Sequence, residues 1–342
     1  MKKLKDGPTV SVIIVNWNGK KWLRDCLYSL EKQIYRNFEI ILVDNNSSDD
    51  SVSYLRKNFP KVKIVQNKTN RGFAGGNNDG LKVALGDYIL LLNNDTKVEK
   101  NFLKNFLKAF EILPQAGCIQ SKIVLMDSPG RLDMCGGYWT DSTFLYYFGL
   151  GKDANSKKYS KTMPFFSNKG ASMMIKRKVI EKIGLFDEDF WNYYEDTDFC
   201  HRVWLSGFEC WYYPKAVSYH AMGGTSIKLD DSLLQFHNFK NKLLSFLKNF
   251  EIKSLLTIIP IYIFLNIIIS FIWLSQGNVK HFFAIYKALW WNVKSIKATF
   301  YKRRKIQSLR NVSDSQIMRR VKVNPRLSYY FYSFTDLGKY ED

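Results

Sequence analysis

Apolar residues in the first third of this chain fall into short unbroken runs. Residues 10–15, 38–43 and 88–92 are β-branched or leucine-rich, and each run is stopped by polar residues: Asn16, then Asp44-Asn45-Asn46, then Asn93-Asn94-Asp95. Such runs read as strands buried on both faces. Residues 62–65 read as a further, shorter strand. Between the runs the apolar positions recur at helical spacing. A helix is predicted over 19–33, with Trp22, Leu23, Cys26, Leu27 and Leu30 on one face. A second reaches about residue 59, capped by Ser47, Ser48 or Asp49. A third runs to about residue 85 behind a glycine-rich loop, 70–78 (NRGFAGGNN). Strand–helix alternation of this kind predicts a parallel, doubly wound α/β sheet, whose ligands sit at the carboxyl ends of the strands.

Past residue 97 the alternation loosens. The pattern predicts a helix over 101–113, a strand over 118–125, an irregular aromatic region over 131–151 and a strand over 165–175. A short helix starts near 177 and stops before Gly184. A longer one spans 195–206, closed by Gly207, and the strand after it ends at His220. Composition changes near residue 229, so a boundary is expected between 1–228 and 229–342. The second part opens with a helix over 236–250. Residues 255–274 (LLTIIPIYIFLNIIISFIWL) carry no charge and match the ~20 residues that a membrane helix needs.

The 342 residues carry a formal net charge of +20, with 46% hydrophobic and 16% aromatic residues. A folded protein with an anionic partner follows from those values. Five cysteines without CxxC spacing argue for a reducing compartment and against a zinc site. The apolar run after MKKLKDGPT is short and lacks a small-residue cleavage site, so the N-terminal part is expected in the cytosol.

Three places carry candidate chemistry. Asp95 stands at a predicted strand end, where a carboxylate can hold a hard cation against phosphate oxygens; on that stretch alone, a polar turn is the simpler reading. Gly72, Gly75 and Gly76 could admit a phosphate to a helix start, but they match neither the dinucleotide fingerprint nor the P-loop. Glu195-Asp196-Thr197-Asp198 opens a helix, as the dipole favours. Asp198 and Arg202 can pair at i,i+4. Glu195 and Asp196 are less easily dismissed, because Trp191, Tyr193 and Tyr194 precede them and aromatic rings beside carboxylates suit a sugar. His220 is either structural or a metal ligand through its neutral imidazole.

VSVIIVNWNG, ILVDNNSSDDS, NRGFAGGNNDG, LLLNNDT and YYEDTDFCHRVWLSGF, in this order, resemble the family-2 glycosyltransferases of the GT-A fold, most of all the rhamnosyltransferase-like branch that builds cell-surface polysaccharides. The resemblance spans about residues 9–226. It implies a mixed, doubly wound sheet, with a nucleotide-binding half over 1–97 and an acceptor half over 98–228. It implies an inverting, metal-dependent hexosyltransferase that uses a nucleoside-diphosphate sugar and Mg²⁺ or Mn²⁺. Asn16, Asp44, Arg71, Asn77 and Asn94 would surround the donor. Asp95 would be the metal-binding member of the Asp-x-Asp motif, with His220 a further ligand. Asp196 would be the catalytic base, with Glu195 its rival, and Trp191, Tyr193 and Tyr194 would line the acceptor site. One departure stands out: Asn93 occupies the place of the motif's first Asp.

A single membrane span would export 276–342, where lysines and arginines abound and only four acids occur. The positive-inside rule opposes that. A re-entrant or in-plane segment, with both flanks on the cytoplasmic face of the cell membrane, is expected instead. The aromatic-basic run 281–304 would then lie on an anionic membrane surface. A lipid-linked glycan acceptor follows from that location. A nucleic-acid-binding protein fits the charge but not its placement, since the predicted strand ends are acidic and amide-rich. A catalytically silent scaffold of a polysaccharide assembly complex is the other alternative. A processive synthase would need more spans.

Overall fold

The computed structural model describes residues 9–221, 231–334 and 340. The boundary expected at 228/229 lies outside the described residues. In chain order the elements are β1 (Val10–Asn16), α1 (Lys20–Glu31), β2 (Phe38–Asp44), α2 (Ser51–Asn58), β3 (Lys63–Gln66), α3 (Gly72–Val83), β4 (Tyr88–Leu92), β5 (Thr96–Val98), α4 (Phe102–Ile112) and β6 (Ala116–Leu125). Then follow β7 (Leu132–Met134), β8 (Gly136–Tyr138), β9 (Tyr146–Phe148), β10 (Met163–Pro164), β11 (Ser172–Lys176), α5 (Arg177–Ile183), α6 (Glu195–Leu205) and β12 (Glu209–His220). The helices α7 (Asp231–Asn249), α8 (Ile252–Ser275), α9 (Val279–Lys294), α10 (Ile296–Gln307), α11 (Asp314–Val321) and α12 (Leu327–Phe334) complete the chain.

The main sheet runs β10-β12-β6-β11-β4-β1-β2-β3. Its β3-β2-β1-β4 half is parallel, as the alternation predicts. Beyond it β11 is antiparallel to both β4 and β6, so the sheet is mixed. Side chains of β1 and β4 alternate between two cores. Val12, Ile14, Leu90 and Leu92 face one, and Ile13, Ile89 and Leu91 face the other. These are strands covered on both sides, which is why their sequence is apolar without alternation.

Three expectations need correction. The glycine-rich stretch is not a loop: Gly72, Gly75 and Gly76 lie in the first turns of α3. A Cβ at Gly76 would come within 2.8 Å of Val15, and one at Gly80 within 2.5 Å of Ile13, so the glycines let α3 press onto β1. The strand expected over 165–175 is only Ser172–Lys176. Before it the chain turns inward, where Asn168 Nδ2 donates to the Trp211 carbonyl (3.1 Å) and Lys169 N–H to Gln120 Oε1 (2.7 Å). The region expected to be irregular holds β7, β8 and β9, with β8 and β9 forming a small hairpin of their own.

The C-terminal helices share a core with the sheet: Phe246, Phe250, Tyr262, Ile285 and Val321 join the cluster that contains Ile13 and Leu91. α8 runs back along α7. Tyr262 meets Phe246 near one end (5.3 Å between rings), and Trp273 meets Phe239 further along (5.9 Å). The opposite face of α8 is bare, with Leu256, Phe264 and Phe271 exposed by 74%, 64% and 56%.

Candidate functional site

Parallel pairing in register brings Asn16 beside Asp44 at the ends of β1 and β2. Asn94, just past β4, donates through Nδ2 to Asn16 Oδ1 (2.7 Å), and Asn16 Nδ2 reaches Asp44 Oδ1 (3.4 Å). Ser47 N–H holds the other Asp44 oxygen (3.0 Å). A polar row therefore crosses three strand ends. Gly19 leaves room for it, since a Cβ there would lie 2.2 Å from Asn94 Nδ2. Arg71 and Asn77 sit apart from this row. Arg71 ion-pairs with Asp79 (2.9 Å) and with Glu188. Asn77 is buried in α3 and donates to the Phe73 carbonyl (2.9 Å).

Asp95 and His220 meet where β12 ends beside β5. His220 Nε2 lies 3.2 Å from Asp95 Oδ1, and its Nδ1 lies 2.8 Å from Asp133 Oδ2. Asp133 belongs to β7 and is itself held by Lys169 Nζ at 2.7 Å from both oxygens. Burial would raise the Asp133 carboxyl, but Lys169 and His220 outweigh it and hold it at about 2. Burial likewise opposes charge on the His220 ring, yet the hydrogen bonds to Asp133 and Asp95 lift its pKa above the usual histidine value. An Nδ1–H donated to Asp133 leaves Nε2 as an acceptor facing a carboxylate oxygen, with the Asn93 amide at 3.3 Å. Two such acceptors need a proton or a cation between them. Their 3.2 Å separation is close to the ~3.0 Å between neighbouring ligands of an octahedral Mg²⁺. The donor set therefore fits a divalent ion, with a carboxylate behind the histidine to fix its tautomer.

Asp196 lies in the first turn of α6. Its Oδ2 accepts from Gly170 N–H (3.0 Å) and its Oδ1 from Thr197 N–H (2.7 Å). Burial raises its pKa, and those two amides only partly offset the rise. Glu195 is more deeply buried, and burial together with Asp196 pushes its carboxyl well above the usual carboxylate value. Asp196 is the more exposed of the two carboxylates on the cavity wall. Asp198 is consumed structurally by Arg202 (2.9 Å), as the i,i+4 spacing predicts, and by Asn249 (2.8 Å).

The segment leading into α6 is strained. Trp191, Tyr193 and Tyr194 have φ of 57°, 68° and 68°, a region that costs non-glycine residues ~1–3 kcal/mol each. Neighbouring elements hold it. Asn241 of α7 donates to the carbonyls of Phe190 (3.0 Å), Asn192 (2.9 Å) and Tyr193 (2.6 Å). Ala74 N–H takes the Trp191 carbonyl (3.1 Å). Lys248 and Lys302 grip Asp187 at 2.6 and 2.5 Å.

A cavity of about 350 Å³ is lined by Asn93 and Asp133 from the histidine side, Gly170 and Asp196 from the base side, and Tyr193 and Tyr194 between them. Trp191 stands outside it, stacked on His237 (5.1 Å). Asp133, Lys169 and Asn241 escaped the sequence reading. The two charged residues lie in stretches without periodicity, and Asn241 reads as the polar side of an amphipathic helix. Cys118, Cys200 and Cys210, far apart in sequence, are fully buried with their sulfurs within 4.8 Å of one another.

Residues 11–184 match the model of Glycosyl transferase family 2. Among relatives, the low-salt glycan biosynthesis hexosyltransferase Agl10 of Haloferax volcanii is 27% identical over 57% of this chain and 61% of its own length. The amylovoran biosynthesis glycosyltransferase AmsB of Erwinia amylovora is 33% identical over 31% of this chain and 37% of its own. The chain thus spans less than two thirds of these relatives. In architecture it is similar to the mannosyltransferase PcManGT from Pyrobaculum calidifontis, solved with GDP-Man and Mn²⁺ (TM-score 0.50, 16% identity, 90% of this chain and 89% of that one). It is also similar to GalNAc-T7, solved with UDP, GalNAc and Mn²⁺ (TM-score 0.55, 19% identity, 71% and 48%). With half of its length under the family model and a mixed sheet of GT-A architecture, this chain belongs to glycosyl transferase family 2.

Proposed function

We propose that the protein transfers a hexosyl group, with inversion, from a nucleoside-diphosphate sugar to a hydroxyl of a lipid-linked glycan during cell-surface polysaccharide synthesis. The observation that carries this reading is Asp196, held by two backbone amides on the wall of the cavity that Asn93 and Asp133 line from the opposite side. Asp44, Asn16 and Asn94 bind the nucleotide. Asp95 and His220 would hold Mg²⁺ or Mn²⁺, which would supply Lewis-acid neutralisation of the leaving diphosphate. Asp196 takes the proton of the acceptor hydroxyl as that oxygen bonds to the anomeric carbon. The bond to the diphosphate breaks and its electron pair leaves with the phosphate. Glu195 is buried behind Asp196, which leaves one base and no exposed second carboxylate from α6 to act as a nucleophile, so the reading is a single displacement with inversion. Tyr193 and Tyr194 offer faces for the acceptor sugar. Rhamnose as the transferred sugar rests on sequence resemblance alone.

The acceptor is met at the cytoplasmic face of the membrane. α8 has the length and apolarity of a span, with no charged residue over 255–274. Yet it lies along α7 and α9, so the reading is in-plane insertion with its bare face in the lipid.

Asp196→Asn tests the chemistry. Transfer should fall by at least ~10²–10⁴ while donor affinity, measured calorimetrically, stays unchanged. An equal loss of binding would give Asp196 a structural role instead. A panel of UDP-, dTDP- and GDP-sugars, with and without Mg²⁺ or Mn²⁺, names the donor. No binding of any donor to the membrane-reconstituted protein would leave a scaffold.

A further inference from the structure

The start of α8 and one face of α10 enclose an open groove of about 770 Å³, which shares no lining residue with the Asp196 cavity. Its walls include Ile252, Lys297, Phe300, Tyr301, Arg303 and Arg304. Arg303 donates to the Leu247 and Phe250 carbonyls (2.7 and 2.6 Å), and Arg310, at the groove's edge, pairs with Asp314 (2.9 Å). Those two arginines brace the end of α7. Lys297 and Arg304 do not: they sit two helical turns apart on the exposed face of α10, and among the described residues neither has an ion-pair partner. The only carboxylate in the groove, Glu251, is turned to Asp314 N–H (3.0 Å). The first turn of α8 has no side-chain cap, so its N–H groups add to the positive field. Around these charges the surface is apolar. Ile252 is 58% exposed, Phe300 51% and Tyr301 78%.

We infer that this groove is a docking site for the phosphate of an anionic phospholipid headgroup. Charge alone would suit any phosphate. The exposed rim of Ile252, Phe300 and Tyr301, continuous with Leu256 on the bare face of α8, decides for a bilayer: a free phosphate or a nucleic acid would leave that rim in water. The inference rests on the membrane reading above and adds lipid selectivity to it. The headgroup fixes α10 at the surface while the outer face of α8 enters the acyl region.

The test is flotation of the full chain with vesicles of phosphatidylcholine, alone or mixed with phosphatidylglycerol. The wild type should favour the mixed vesicles by ~30-fold or more, since each basic residue near an anionic surface contributes about a fivefold gain. Lys297→Glu with Arg304→Glu should erase the preference, and Lys297→Gln with Arg304→Gln should reduce it. Lys57→Glu with Lys61→Glu, exposed residues near α2, makes the same charge change and should keep the preference. Equal attachment of the wild type to both vesicles overturns the inference and leaves the membrane reading standing. Attachment to neither overturns both. An equal loss in the α2 control means overall charge rather than a site. Release by inorganic phosphate at constant ionic strength means a site for free phosphate, and also overturns the proposal.

Discussion

His220 is held from both ring nitrogens, and Asp133 is the partner that settles which of them carries the proton. Asp133→Asn should therefore leave the fold intact and weaken Mn²⁺ binding in the presence of nucleoside diphosphate by ~10–100-fold, read by electron paramagnetic resonance. Unchanged Mn²⁺ affinity would show that Asp133 serves only Lys169. Asp196 yields a prediction about pH. A base must be ionised, and burial lifts this carboxyl above the ordinary carboxylate value of about 4. The rate should thus fall on acidification while exposed carboxylates are still ionised, and rise with pH through the lifted pKa. A pH–rate profile with its acid limb at or below about 4 would contradict this. At this scale the sequence was informative where strands end. Asp44 and Asp95 announce themselves because an apolar run stops at them. Asp133 is brought to His220 by the pairings of β7, β6 and β12, and Lys169 by the inward turn before β11; no local pattern of residues encodes those contacts.

Among the elements, α7 has a part that its spacing did not reveal. The helix itself was legible, but its apolar spacing gives no sign that Lys240, Asn241 and Lys248 are buried. The amide of Asn241 serves three carbonyls of a segment some fifty residues earlier, in which aromatic residues adopt left-handed backbone. Asn241→Leu should remove this donor from all three, at ~1–3 kcal/mol for each carbonyl that neither water nor another N–H reaches; the Phe190 carbonyl keeps the Asn192 N–H. A lowered melting temperature and a lowered kcat, with donor affinity retained, are the expected results. A variant that melts early but turns over normally would confine Asn241 to stability. The misreading of α3 has a related cause. Glycines before a helix signal a loop, and only the closeness of β1 explains why they are helical here.

For the molecule as a whole, the alternation of strands and helices was enough for the parallel half of the sheet. The antiparallel insertion of β11 was implied only by family resemblance, because strand direction leaves no mark on a five-residue run. The lie of α8 makes a topological prediction. All five native cysteines are buried, so cysteines placed at Lys253 and Gln276 supply the accessible thiols. An impermeant maleimide should modify both from the same side of sealed vesicles, whereas modification of position 276 from the opposite side alone would make α8 a span. With α8 inserted in the plane of the lipid, as proposed, the Asp196 cavity would travel with the lipid surface at a set height. Such a catalyst would meet a lipid-linked acceptor by lateral diffusion in two dimensions. The concentration governing turnover would then be the acceptor's mole fraction in the bilayer, so inert lipid should slow the reaction where added buffer does not.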